Sequence, residues 1–238
     1  MNKKLTQMDI SKETEDLFKN VAVKSSLKNL VYLNTLDAFN HVKTQVEKFA
    51  VGYNEFYKQE AAIADVRSKK VGDFEIDLKF GGDVLLFLMH TNVFQFPRDH
   101  EVMKTPYVKE DPTRSYCGII NIYNFISDSF KYNRVNDVGY LIGRIFINRE
   151  SHYFIEGNRE LGFLYNNFGK NILKDQSAKE IIDAAVKYTV NFDLLTPHYD
   201  IAKFVTVNDI KHTLDSISLK TGKRLGYKFQ ADNITPEK

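Results

Sequence analysis

The sequence is poor in cysteine, proline and tryptophan, with one, five and none of them in 238 residues. A lone Cys117 cannot form an internal disulfide, which fits a reducing, cytoplasmic setting. It also cannot build a thiolate metal site. Long hydrophobic runs are missing too. The longest, Val84 to Met89, is far short of the ~20 residues that span a bilayer, so a membrane protein is not expected. The start, Met1-Asn2-Lys3-Lys4-Leu5, has no apolar stretch behind its lysines and does not read as a secretory signal. Charge of one sign is lacking as well: the net charge is only +2. Residues 220–238 hold five basic and two acidic side chains, a surplus of three, so the rest of the chain sums to −1. A near-neutral body with a short basic tail argues against nucleic-acid binding, and the tail reads as a solvated end.

Signature motifs are also lacking. There is no GxxxxGK[ST] or GxGxxG phosphate loop and no GxSxG nucleophile elbow. No two histidines have the i,i+4 spacing of a helical zinc site, so no metal and no cofactor is expected. Arg98-Asp99-His100-Glu101 sets one histidine between carboxylates, and a metal there would need a ligand from elsewhere. Cys117 reads as a buried structural residue, because a nucleophile would need a base and a field that lowers its pKa.

What is present is periodicity. Residues 5–23 form a modest amphipathic pattern with early acids, and a longer helix is expected from about Thr35 to Ser68. Phe39, Val42, Val46, Phe49, Tyr53, Phe56, Glu60 and Ile63 recur there at spacings of three and four. That stripe can lie across the chain's own sheet, or it can pair with a second chain to give a homodimer.

From Phe74 the period changes to two. Phe74-Glu75-Ile76-Asp77-Leu78-Lys79-Phe80 alternates as a half-buried strand, and Gly81-Gly82 reads as a hairpin turn. Val84–Met89, apolar on both faces, is expected to be a central strand. That run continues less regularly through 93–96; further strands are expected at 118–126, 139–148 and 152–156, and 161–168 is ambiguous. Short connections favour antiparallel pairing. Pro97 to Ser115 is a nineteen-residue connection with three prolines, expected as a binding loop or a poorly ordered excursion. Ser177 and Glu180 make a capping-box pattern for a helix through Leu195 that ends at Thr196-Pro197. A strand-like 204–207 and a short helix with Ile210, Leu214 and Ile217 follow. The expected class is therefore α+β. A mostly antiparallel sheet of five to six strands (about 71–168) lies between a long N-terminal helix and C-terminal helices, within one domain (1–219).

One asymmetry points to a site. The chain has 25 lysines and 8 arginines, yet six arginines (Arg98, Arg114, Arg134, Arg144, Arg149, Arg159) and only three lysines lie between 98 and 159. Arginine's planar fork binds carboxylate or phosphate bidentately and tolerates partial burial. Arg144 is expected to share a strand face with Tyr140, Ile142 and Phe146, where a charge must find a partner. Eight acids in the same window could pair internally with all six arginines. The alternative is an anionic small-molecule site formed by Arg144, Arg98, Arg114, Tyr123, His152 and Glu156, between the sheet and the Pro97–Ser115 connection. That would make the chain a regulatory or sensor-type module, and its layout alone is similar to PAS and GAF domains. The competing reading is a protein that acts through its long helix. An enzyme ranks behind both, since no nucleophile–base pair can be named.

Overall fold

The computed structural model describes residues 11–157, 161, 167–192, 199–203 and 207. The tail at 220–238, Arg159, the strand-like 204–206 and the last expected helix lie outside the described residues. A 45-residue helix, α1 (Lys12–Phe56), opens the chain. It merges the two N-terminal helices expected from the sequence. Ser11 caps it, its side chain accepting the Thr14 N–H at 3.2 Å.

The helix ends a dozen residues before the expected Ser68, and the reason lies in the next segment. The chain turns at Tyr57 and comes back along the helix. There the Asn54 amide grips the backbone of Val66 twice, donating to its carbonyl at 2.7 Å and accepting its N–H at 2.9 Å. The buried Val66 joins the core at the point where a continuing helix would have carried it into solvent.

The sheet has seven strands: β1 (Arg67–Gly72), β2 (Glu75–Phe80), β3 (Asp83–Met89), β4 (Phe94–Gln95), β5 (Tyr116–Ile126), β6 (Tyr140–Asn148) and β7 (Tyr153–Gly157). Pairing is antiparallel throughout, in the order β1-β2-β3-β5-β6-β7, with the two-residue β4 beside β5. Gly81, at φ 53°, makes the β2–β3 turn. β3 is central, as its two-sided apolar run predicts. β1 is the strand that the hydrophobic pattern does not reveal. As an edge strand, Arg-Ser-Lys-Lys-Val-Gly pairs through its backbone while its side chains stay in water, and lysines there discourage pairing with a further edge.

α1 and α5 (Asp175–Val190) cover one sheet face. Phe39, Val42 and Val46 of α1 meet Ile76, Leu78, Leu85, Phe87, Ile120, Ile122, Ile145 and Ile147 of the sheet, with Ile181 and Ala185 of α5. α1 comes closest at Gly118, where an added Cβ would overlap the Thr35 side chain. Of the two readings of the stripe, the packing across the chain's own sheet is what Phe39, Val42 and Val46 do. Phe39, Val42 and Val46 are fully buried, Phe56 is exposed, and Glu60 and Ile63 are off the helix.

α5 starts earlier than the capping pattern suggests. Ser177 sits inside the first turn and accepts the Lys174 N–H at 2.9 Å, so it is not itself the cap. The helix stops at Val190, short of Leu195, and residues 193–198 lie outside the described residues.

The opposite face carries a second, aromatic cluster: Phe146, Phe154, Phe168 and Cys117 under Val102 and Val108. What covers it is the Pro97–Ser115 connection, which is structured. It contains α2 (Glu101–Lys104), α3 (Pro106–Glu110) and a 3-10 turn at Pro112–Ser115. Its prolines start helices: Pro106 and Pro112 occupy first-turn positions, where a missing N–H costs nothing. α4 (Ser127–Lys131) follows β5, and α6 (Tyr199–Ala202) is the last described helix.

Candidate functional site

Two places on the molecule gather polar or apolar groups that the core does not need. The first is the seam between the helical cap and the β6–β7 turn. Side chains place each cap element: His100 Nδ1 accepts the Val102 N–H, Thr105 that of Val108, and Asp111 that of Thr113. The facing turn is shaped by Asn148. Its Oδ1 accepts the backbone N–H groups of Glu150 (2.9 Å) and His152 (3.1 Å), with Ser151 at φ 59° between them.

Tyr107 joins cap to turn. Its hydroxyl donates to Glu150 at 2.7 Å, and its two lone pairs meet Asn148 Nδ2 and His152 Nδ1, both at 2.8 Å. With the phenol proton committed to Glu150, His152 must present Nδ1–H. Burial, then the hydrogen bond to Glu150, pushes the Tyr107 phenol up, so it stays neutral. Burial also raises Glu150, but bonds from Tyr107 and Arg114 outweigh it and hold the carboxyl below its ordinary range. Arg114 donates to Glu150 (3.0 Å), the Tyr107 carbonyl (2.9 Å) and Glu110 (2.5 Å), and lies 4.4 Å from the centre of the Tyr107 ring. Arg149 reaches Thr113 at 2.8 Å and Asp111 at 3.2 Å.

Further along the same sheet face, Arg144 donates to Glu156 at 2.5 Å, and His100 holds the other carboxylate oxygen at 2.8 Å. Arg144 shares this face with Phe146, whose ring centre is 5.4 Å away. It does not share it with Ile142 as alternation would have it. A bulge in β6, where Ile142 is the extra residue between the partners of Tyr123 and Ile122, shifts the register and turns Ile142 into the core with Ile145.

The six predicted site residues thus fall into separate groups. Arg144 and Glu156 pair with each other. Arg114 and His152 meet through Tyr107 and Glu150. Tyr123 lies two residues along β5 from Asn121, the register partner of Arg144, with its ring near Phe125. Arg98 is exposed on the approach to α2. Four of the clustered arginines bind carboxylates of the chain itself: Arg114, Arg134, Arg144 and Arg149. Sequence reasoning missed Tyr107 and Asn148, which organise the seam. The one signal they leave is a turn-forming Asn four residues before His152. Among the described residues no group of three or more His, Cys, Asp or Glu could hold a metal ion. Cys117 is buried 3.9 Å from the Arg114 carbonyl, and burial pushes its thiol up, away from the reactive thiolate.

The second place is the start of α1. At about 1.5 Å per residue the part before Val31 is roughly 28 Å long, and none of it is buried. There Leu17 (57%), Phe18 (55%), Val21 (55%) and Val23 (72%) are exposed. A groove of about 630 Å³ runs beside it, between Val21, Lys24 and Leu27 on the helix and Gln95, Pro112 and Tyr116 on the body. Lys24 leans over the Tyr116 ring and hydrogen-bonds its hydroxyl. On the other side of the helix a smaller groove of about 480 Å³ is lined by Lys28, Tyr32 and the β3–β4 connection.

The class these features define is an α+β protein with an antiparallel sheet, a half-buried polar seam and a long helix whose first part is unburied. No helix among the described residues is long and apolar enough to cross a membrane. No family model, curated protein or solved structure matches the chain.

Proposed function

We propose that the chain is a protein–protein interaction module whose docking element is the projecting part of α1. The observation that supports this reading is the uncovered row of Leu17, Phe18 and Val21. Leu17 and Val21 continue, at spacings of four and three through Lys24 and Lys28, the stripe that begins to be buried at Val31 and Thr35. A helix that needed only to cover its own sheet would stop near Val31, or would be polar beyond it. Burying one side chain of this size contributes about 1.5–3 kcal/mol, so a partner helix laid along the row would stabilise both. The anionic-ligand reading has less behind it, because carboxylates of the chain already occupy the forks of Arg114, Arg144 and Arg149.

The test is affinity capture on the immobilised chain from its source cells, with Leu17→Asp/Val21→Asp as the control bait. The reading expects a polypeptide, a further copy of the chain included, that the wild type retains and the control loses. Equal recovery by both baits, in a control that folds normally, would sink it.

A further inference from the structure

We infer that His90 and His100 form a proton-operated latch on the segment between them, which opens the aromatic cluster on the capped sheet face when both rings are protonated. Each ring does the same thing at its own end of the segment. His90 Nδ1 accepts the Asn92 N–H at 3.0 Å, and His100 Nδ1 accepts the Val102 N–H at 3.2 Å. Each ring also packs on a phenylalanine of the segment, His90 on Phe94 and His100 on Phe96, with ring centres 4.7 and 4.6 Å apart. Accepting an N–H needs the Nδ1 lone pair, and a protonated imidazole has none. Backbone contact and protonation are therefore mutually exclusive at both ends.

What surrounds each ring decides how that loss is felt. At His100 the Glu156 carboxylate of β7 accepts Nε2–H at 2.8 Å, with or without a proton on Nδ1. Arg144 of β6 holds the other carboxylate oxygen, and Asp99 and Glu101, itself paired with Lys104, flank the ring in the chain. The ring is thus tethered. A proton on Nδ1 then faces the Val102 N–H, donor against donor, and the start of α2 gives way in place of the ring. His90 is exposed, with Lys28 of α1 across the adjoining groove. Its charged ring turns to water and leaves the β3–β4 connection without its bond. The segment between the two rings covers the aromatic cluster. Phe96 lies 4.9 and 5.7 Å from Phe146 and Phe154, Phe94 pairs with Cys117 across the β4–β5 ladder, and Val102 packs in the same cluster as Cys117. The other described histidines have no such role. His152 Nδ1 already carries the proton it gives to Tyr107, and His41 sits between Asp175 and Asp37, where a charged ring keeps its partners.

Cys117, the chain's one cysteine, is buried in that cluster and reports its opening. The experiment measures the rate at which a disulfide reagent modifies Cys117 in the full chain from about pH 7.5 to about pH 5, where histidines change charge. Each rate is divided by that of the urea-unfolded chain at the same pH, which removes the titration of the thiol itself. Losing one capping bond raises the open population about five- to tenfold, and the wild type is expected to show at least that rise as pH falls. His100→Asn keeps a side-chain acceptor at the cap and does not titrate, so it should remove most of the rise. His90→Asn should remove less, and the double variant all of it. Hydrogen exchange in the wild type needs no substitution. Corrected for intrinsic pH dependence, the Asn92 and Val102 amides should lose protection over the same range while the β5 amides keep theirs. Unchanged protection of Cys117 and both amides across the range overturns the latch, and so does a parallel loss at β5, which is global unfolding. A rise that persists in a double variant with native circular dichroism also overturns it, because another group then drives the opening.

Discussion

The two halves of α1 carry nearly the same spacing of apolar residues and meet opposite fates. From Val31 to Ala50 the stripe is buried to the last atom at Val31, Phe39, Val42 and Val46. From Lys12 to Leu30 no residue is buried, though the sequence keeps supplying Leu17, Phe18, Val21 and Leu27. The difference is not one of helical propensity, since one unbroken helix runs through both. It is set by how much of the sheet lies under each half; in the first, contact is made at the rim, where Lys24 meets Tyr116. Amphipathic periodicity says that a face will be covered and leaves open by what. In the second half the cover is β2, β3, β5 and β6; in the first it must come from elsewhere.

The comparison breaks most directly at a single phenylalanine in each half. Phe39→Ala should lower unfolding free energy by about 3–5 kcal/mol, as full-core truncations do. Phe18→Ala in the monomer should change it by no more than about 0.5 kcal/mol. Urea denaturation of both at low protein concentration checks this, and an equal loss would mean that the projecting half is already packed.

The buried half depends next on close approach to β5. Gly118→Ala should cost about 1–3 kcal/mol through overpacking against Thr35, with part regained when Thr35→Ala is added. An unchanged urea midpoint would show that the helix can lift off the sheet freely.

The seam beneath the cap should matter less. Tyr107→Phe removes a hydroxyl with three partners and should cost about 1–2 kcal/mol. Glu150 gives the seam a pH signature. Its folded carboxyl is held below the ordinary value, so its contribution is complete above the unfolded carboxylate range and fades as pH falls through the lower folded value. Glu150→Gln should flatten the acid side of a stability-versus-pH curve below about pH 4.3 and change little near neutrality in slope. A slope identical to wild type would remove the linkage.

The smallest expected effect has the opposite sign. Asn124 is 1% exposed on the covered face, and both its amide atoms lack a hydrogen-bond partner. Asn124→Leu should raise stability by about 1 kcal/mol. A loss on thermal unfolding would mean that the amide is satisfied by water.

Much of the fold was legible because alternation records burial. Phe74 to Phe80, the Gly81 turn and the two-sided β3 all follow from which residues are apolar. β1 was not legible, since an edge strand's backbone pairing leaves no mark on polar side chains such as Lys69 and Lys70. The cap was misread for a related reason. Its prolines look like loop residues until Thr105 and Asp111 are seen to cap the turns they begin. The candidate site was legible as an arginine excess and not as a geometry. Glu156 lies 12 positions from Arg144 and Glu150 lies 36 from Arg114, and spacing in sequence does not encode such distances; of these acids, only the Glu110 that also meets Arg114 is a local neighbour.

By itself the sequence determined the α+β class, the antiparallel hairpins and the apolar stripe from Phe39 along the long helix. These are set by local periodicity and by turn residues whose conformations need no distant partner. Only the tertiary structure decided that the arginines meet the chain's own carboxylates, that a bulge turns Ile142 inward and away from Arg144, and that burial along α1 begins at Val31. Those outcomes depend on register and on sheet width, which arise from contacts between segments far apart in the chain. The same helix therefore serves as core in one half and as exposed surface in the other.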